Sequence, residues 1–328
     1  MAWWEGVIRD IAEYRIYSST DAVLKALELF PLAFRRARDL RDGLETLAEL
    51  VDRLVEVRPT SVMLINMMRR LLKAIEERLK AGWGAFQVAD ALELEIRSLR
   101  RELESAINVA ATLGARRVRD GDVLMTCSYS RTLMTLFRRL REEDKHVHVY
   151  VTESRPGGEG VEMAREISSL GFEVELIVDS AVRFFMKDVD LVVVGAEAIA
   201  ANGAVVNKVG TSMIALAAHE ARVRTFVIAT THKFSHETIF GELVKLPIIK
   251  GVKLLPGLER APELSAESPL FDVTPPEYID AIITERGVVA PEAVILLVRE
   301  LYGWPPETMD VTSATRRLLE VVKSGATG

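Results

Sequence analysis

The sequence predicts an α/β fold in which an N-terminal helical domain is followed by a doubly wound, mainly parallel, Rossmann-like sheet domain. At 328 residues the chain is too long for one small core and suits two domains. From about residue 5 to 113 apolar residues recur at spacings of three and four, the period of helices with one buried face. Beyond Gly114 short apolar runs alternate with helical stretches, as βαβ units require. The expected division is a helical domain over 1–114 and a sheet domain over 115–328.

In chain order, helical periodicity covers Asp21–Phe30, Phe34–Val57, Ser61–Lys80 and Ala85–Leu113. Pro59, Gly82-Trp83-Gly84 and Gly114 stand where helices are expected to stop. Met63, Met67 and Met68 form a stripe that reads as helix core, and Trp3, Trp4 and Tyr14 as anchors of the first helix or of a partner. Strands are expected over Asp122–Thr126, His146–Thr152, Glu173–Val178, Asp190–Val194, Thr225–Thr230 and Ala281–Thr284. The sequence contains no internal repeat and no Gly-rich phosphate loop of the P-loop or dinucleotide type.

A net charge of −6 is mild, and Arg-rich runs such as Arg35-Arg36-Ala37-Arg38 have acidic neighbours, so direct nucleic-acid binding is not expected. The single cysteine, Cys127, excludes an internal disulfide and suits a reducing compartment, so a cytoplasmic protein is expected. The opening residues lack a signal-peptide pattern, and no apolar run approaches the ~18 residues of a membrane span. His146, His148, His219, His232 and His236 are scattered without metal-site spacing, so neither a metal nor another cofactor is expected.

Ligands of open α/β sheets sit beyond the carboxyl ends of the strands, where the strand order reverses. The residues in those positions are Thr126 to Arg131, Thr152 to Gly160, Asp179-Ser180, Gly195 to Gly203, Asn207 to Thr211 and Thr230 to Phe234. They are polar, Gly-bearing and cationic. Helix N-termini, close backbone approach at Gly, and positive charge from Arg131, Arg155, Lys208 and Lys233 suit a phosphorylated ligand, a phosphosugar or a nucleoside monophosphate. Ser130 and Thr132 are expected to contact that ligand, and Asn207 with Lys208 is expected at a helix start facing an anion.

Gly195-Ala196-Glu197, Asn202-Gly203, Asn207-Lys208-Val209-Gly210-Thr211, Val178-Asp179-Ser180-Ala181-Val182, Lys233-Phe234 and Phe271-Asp272-Val273-Thr274-Pro275-Pro276 together resemble one family. It unites the alpha, beta and delta subunits of initiation factor 2B with ribose-1,5-bisphosphate and methylthioribose-1-phosphate isomerases. The resemblance implies that Arg58, in Arg58-Pro59-Thr60, contacts the sugar phosphate. In the isomerases a Cys after the first strand and an Asp in Gly-Ala-Asp exchange protons with the sugar. Here ungapped alignment places Ser128 at the Cys position, with Cys127 one residue earlier, and Glu197 at the Asp position. Ile16-Tyr17-Ser18-Ser19-Thr20 replaces an Arg-Gly-Ala phosphate loop, and its hydroxyls suit a helix cap.

Two readings follow. The first is an archaeal-type regulatory-subunit-like protein of the initiation factor 2B group that binds a phosphosugar or nucleoside monophosphate. The resemblance implies that it assembles as a homo-dimer or higher oligomer and meets the translation initiation factor 2 alpha subunit. The alternative is an aldose-ketose isomerase with altered catalytic residues, Glu197 with Ser128 or Cys127. Cys127 otherwise reads as a buried small hydrophobe, and Glu197 as a carboxylate paired with a cation such as Lys208.

Overall fold

The computed structural model describes residues 2–13, 15–241, 246–250, 263 and 265–323; Tyr14 lies outside them. The helices α1 to α6 are Glu5–Ala12, Ser19–Leu27, Leu29–Arg35, Leu40–Val57, Val62–Lys80 and Ala85–Ala115. Thereafter β1 (Val123–Thr126), α7 (Arg131–Glu142), β2 (His148–Thr152), α8 (Glu159–Ser169), β3 (Glu173–Ile177), α9 (Val182–Phe185) and β4 (Leu191–Val194) alternate. Then come β5 (Ala198–Ala200), β6 (Val205–Lys208), α10 (Thr211–Ala221), β7 (Arg224–Ile228), β8 (Phe234–Ser235), β9 (Ile248–Lys250), β10 (Glu267–Pro269) and β11 (Phe271–Thr274). The last elements are β12 (Ala281–Thr284), β13 (Gly287–Val289), α11 (Val294–Tyr302) and α12 (Val311–Lys323). No helix among the described residues is long and apolar enough to cross a membrane.

The chain separates into two compact units, residues 1–104 with 307–328, and residues 105–306. In the first, α5 buries Met63, Leu64, Met67, Met68, Leu71, Leu72, Ile75 and Leu79, and α12 packs on α4 and α5. Trp4 is buried, whereas Trp3 is 36% exposed. Two long helical segments read from periodicity are each interrupted. The segment Asp21–Phe30 breaks after Leu27 because Pro31 has no N–H to give to the Leu27 carbonyl four residues back. The segment Phe34–Val57 breaks before Leu40, where Asp39 takes an extended backbone and its carboxylate accepts from the Asp42 N–H at 2.9 Å. Ser18 caps α2 through the Asp21 N–H at 3.2 Å.

The second unit is built on a seven-stranded sheet, order β13-β12-β7-β4-β1-β2-β3, parallel except for the antiparallel pair β12/β13. This is the doubly wound sheet expected from the sequence. Strand residues alternate between two cores, as the two-residue strand period demands. Leu124, Val149, Val151, Val193, Ile228 and Ile283 pack with Leu133, Phe137 and Ile167 on one face. Met125, Val192, Val194, Val227 and Ile282 pack with Ile214, Val294 and Val298 on the other. The chain leaves β1 toward β2 and β3, then returns to β1's other side as β4, so the order reverses between β1 and β4.

α6 ends at Ala115, one residue past Gly114. A Cβ at Gly114 would lie 2.6 Å from Ile228 Cδ1 and 2.8 Å from Leu136 Cδ1, so glycine there allows close packing of the helix end. A second, four-stranded sheet, order β11-β6-β5-β8, was not visible as periodicity, because its strands are only two to four residues long. It carries β5, which begins directly after Glu197, and β6, which ends on Lys208.

Gly160 is packed against the end of β2, where a Cβ would stand 1.8 Å from the Thr152 carbonyl oxygen. Gly160→Ala is expected to cost about 3–5 kcal/mol and lower the melting temperature by roughly 10 °C. Gly84→Ala, whose Cβ would meet nothing nearer than Gln87 Oε1 at 3.8 Å, should stay within about 1 kcal/mol. Thermal denaturation of the two variants checks both.

Candidate functional site

The reversal between β1 and β4 places the segments after those strands side by side. A Cβ at Gly195 would lie 3.0 Å from Ser130 Oγ, so the loop leading to Glu197 passes against the loop that carries Ser128 and Ser130. Both loops are shaped by unusual backbone. Ser128 and Ser154, just past the ends of the neighbouring strands β1 and β2, have φ of 60° and 62°, a region that side chains other than Gly and Asn seldom adopt. The Ser128 N–H donates to Ser154 Oγ at 2.7 Å, and the Ser154 and Arg155 N–H groups donate to the Asp179 carboxylate at 2.9 and 2.7 Å.

The turn at Ser128 sends consecutive side chains to different places. Cys127 points into the core on the α10 face, among Met125, Val194 and Ile214, with its Sγ 3.4 Å from Thr211 Oγ1. Burial pushes its thiol up to about 12, aided by the carboxylates of Asp272, Asp179 and Glu159 and opposed by the Thr211 hydrogen bond. A thiol so disfavoured as thiolate has the character of a small hydrophobe. Ser128 Oγ instead donates to Glu159 Oε1 at 3.1 Å.

That same oxygen is 2.8 Å from Lys208 Nζ, with side chains 3% exposed for Lys208 and 14% for Glu159. Gly157 makes room for the pair, since a Cβ there would come 2.3 Å from Glu159 Oε2 and 3.1 Å from Lys208 Nζ. Lys208 was expected at a helix start and as a partner for Glu197. It lies instead at the end of β6, with α10 beginning at Thr211, and its ion pair is with Glu159. Asn207 Nδ2 donates to Thr211 Oγ1 at 3.0 Å, and Thr211 Oγ1 donates to the Lys208 carbonyl at 2.6 Å. The start of α10 is finished by Asp272 on β11, which accepts from the Gly210 N–H at 2.7 Å and the Ser212 N–H at 3.1 Å. Burial pushes the Asp272 carboxyl up to about 6, against the pull of those two amides.

Glu197 is 5% exposed. Its N–H donates to the Val206 carbonyl at 2.8 Å, and its Oε1 is buried with no hydrogen-bond partner among the described residues. Lys233 is buried, and its Nζ donates to the Ala196 carbonyl, fastening the loop beside Glu197. Ser130 caps α7 through the Leu133 N–H at 3.3 Å; Arg131 is the first residue of α7, Thr132 is buried behind it, and Arg155 is exposed. Arg58 is buried at the C-terminal end of α4, in the first unit.

The structure thus brings Ser128, Lys208, Asn207 and Cys127 into one hydrogen-bonded neighbourhood. Glu159, Asp179 and Asp272 belong to it; the sequence places Glu159 and Asp179 in the post-strand segments and Asp272 in a family motif, but gives none of them a role. For Glu159 the available signal was an acidic residue opening the helix after the second parallel strand. The first unit also contains a cavity of about 770 Å³ between α5 and α12, lined by Leu72, Leu79, Met309, Ala314 and Leu318 with Arg317.

A model of the initiation factor 2 subunit family matches residues 15–291. Ribose 1,5-bisphosphate isomerase of Thermococcus kodakarensis is 40% identical over 76% of this chain and 79% of its own. The isomerase of the same name from Methanocaldococcus jannaschii is 35% identical over 86% and 89%. A putative translation initiation factor eIF-2B subunit 2-like protein of Pyrococcus horikoshii is 32% identical over 87% and 95%. Among solved structures, translation initiation factor eIF-2B of Pyrococcus horikoshii superposes with a TM-score of 0.75 at 31% identity, covering 89% of this chain and 98% of that one. For 5-methylthioribose 1-phosphate isomerase from the same organism the TM-score is 0.74 at 26% identity, over 90% and 87%.

Native protein is expected to leave Cys127 unmodified by a water-soluble aromatic disulfide at pH 8, with one thiol released on unfolding; rapid labelling of the folded chain would contradict its burial. For Asp272, a carboxyl raised in the folded state stabilises while neutral. Its contribution is complete below about pH 4, its unfolded value, and is lost as pH rises through about 6. Melting curves between pH 4 and 7 should show that step, on the order of 2–3 kcal/mol, and Asp272→Asn should remove it.

Proposed function

The chain belongs to the initiation factor 2 subunit family, and from that premise we propose that it is a sugar-phosphate isomerase that converts ribose 1,5-bisphosphate to ribulose 1,5-bisphosphate with an altered pair of proton-transfer residues. The relatives named as this isomerase, at 35 to 40% identity, reverse the order of the two readings drawn from the sequence. The observation that carries the proposal is Glu197, whose buried Oε1 has no hydrogen-bond partner among the described residues, beside the strand-order reversal. A carboxylate oxygen left unsatisfied in a buried place is costly, and such groups mark sites where a ligand supplies the missing partner.

The reaction asks for two groups. The ring C–O bond breaks as the ring oxygen gains a proton, and a hydrogen moves from C2 to C1 while the C2 hydroxyl becomes a carbonyl. One group gives a proton and another takes it, and composition is unchanged overall. Glu197 is the carboxylate of this pair, one methylene longer than Asp, and Ser128 holds the other position. Arg131, Arg155 and Lys208 supply positive charge for the phosphates, while Ser130, Thr132, Asn207 and Lys233 shape the loops that present them.

A second reading is favoured by one observation, that the thiol position holds a serine while the neighbouring Cys127 faces the core. It is a regulatory subunit that binds a phosphosugar or nucleoside monophosphate without turning it over. In that role it would act as a homo-oligomer that meets the translation initiation factor 2 alpha subunit.

Incubation with ribose 1,5-bisphosphate, followed by NMR, is expected to yield ribulose 1,5-bisphosphate. Glu197→Gln should lower kcat by about 100-fold or more while keeping the melting temperature. Absence of turnover, together with phosphosugar stabilisation that disappears in Lys208→Ala, would replace the isomerase by the ligand-sensing subunit.

A further inference from the structure

Resting on the isomerase reading, we infer that Glu159 is the positioning and proton-relay residue behind Ser128, and that the Ser128–Glu159 couple performs the proton exchange assigned to a thiol in the isomerases this chain resembles. A serine hydroxyl without help is a poor partner for proton transfer, and an adjacent general base is what makes it competent. The structure supplies one. Ser128 Oγ donates its proton to Glu159 Oε1 at 3.1 Å, so the hydroxyl's hydrogen is committed and its lone pairs are left for another donor.

Three features set this contact apart from an incidental surface hydrogen bond. Ser128 holds a positive φ of 60°, as does its tether Ser154 at 62°, and the two are joined at 2.7 Å, so the direction of Oγ is over-determined by the backbone. Glu159 Oε1 is held in place by Lys208 Nζ at 2.8 Å. The other carboxylates whose fields reach this neighbourhood, Asp179 and Asp272, are occupied by backbone amides, Ser154 and Arg155 in one case and Gly210 and Ser212 in the other. Of these three acids, Glu159 alone accepts from the Ser128 hydroxyl.

The relay balances. A proton leaving the sugar goes to a lone pair of Ser128 Oγ as the original hydroxyl proton passes to Glu159 Oε1. The reverse transfer returns a proton to the sugar at the carbon that must receive it, and Ser128 and Glu159 end as they began. Lys208 keeps its proton throughout and holds Glu159 in place.

The test is epistasis on the holoprotein with ribose 1,5-bisphosphate. Glu159→Gln keeps the shape and an acceptor for Ser128 but cannot take a proton, and is expected to lower kcat about 100-fold with KM within roughly threefold. Ser128→Ala should lose a similar factor, and the double variant should fall no further than the worse single one. In a Ser128→Cys background, where a thiol ionises on its own, the loss on Glu159→Gln should shrink below about tenfold. Equal losses in both backgrounds would show that Glu159 only holds Lys208, and would overturn the inference. If Glu159→Gln lowers the melting temperature by stranding Lys208, Glu159→Asp, which keeps a negative charge near Lys208 but draws the carboxylate back from Ser128 by one methylene, is read in the natural and Ser128→Cys backgrounds instead, with the same two outcomes. Turnover that appears only with Ser128→Cys overturns the relay while leaving an isomerase pocket. Absence of turnover in both the natural chain and Ser128→Cys overturns the isomerase reading, and the relay with it.

Discussion

The buried ion pair between Lys208 and Glu159 is the constraint around which the rest of the site is arranged. Removing two charges from water is expensive, and a lone buried ammonium would cost several kcal/mol more than a paired one. Lys208 is 3% exposed in its side chain, so the end of β6 has to lie where the first residue of α8 can reach it. Meeting that requirement joins the small four-stranded sheet to the large parallel one. It explains why Gly157 stands where any Cβ would collide with the pair, and why the Thr211 hydroxyl and the Asp272 carboxylate close off the start of α10 around the Lys208 carbonyl and the Gly210 amide.

Around that pair the chain divides its polar groups into those that build and those left over. Ser130, Asn207, Asp179, Asp272 and Lys233 each have a hydrogen bond that finishes a helix end or fastens a loop. Ser128 and Glu197 are different. One donates its hydrogen to a carboxylate already engaged by a cation, and the other keeps a buried carboxylate oxygen with no hydrogen-bond partner among the described residues. Polar atoms are rarely left so in a folded interior without a use, and these two flank the place where the strand order reverses.

Much of the fold was legible because it rests on local periodicity. The apolar run within His146–Thr152, and α5 with Met63, Met67 and Leu71 on one face, declare themselves in a few residues. The boundary that misled did so because the deciding atom lay elsewhere: Pro31 ends a helix through a missing N–H four residues from the break. Gly114 stands at the expected helix end and also lets it pack against Ile228 and Leu136. At the site, the loops after the strands could be found by the strand-end rule, and Ser128, Glu197 and Lys208 by motif. The pairing could not. Ser128 meets Glu159 across 31 residues, and Lys208 chooses Glu159 over Glu197 through the geometry of a second sheet whose strands are too short to leave a period in the sequence.

The C-terminal helix α12 packs on α4 and α5, so the first unit is made of residues 1–104 and 307–328 while the sheet unit is one unbroken stretch between them. During synthesis on a ribosome the sheet unit can close as soon as its own residues have emerged. The helical unit cannot, because the faces of α4 and α5 that α12 covers stay open until α12, which follows the whole sheet unit in sequence, has been made. Helices made before the sheet unit are therefore completed only after it, and their open faces are what a chaperone would find exposed in the interval.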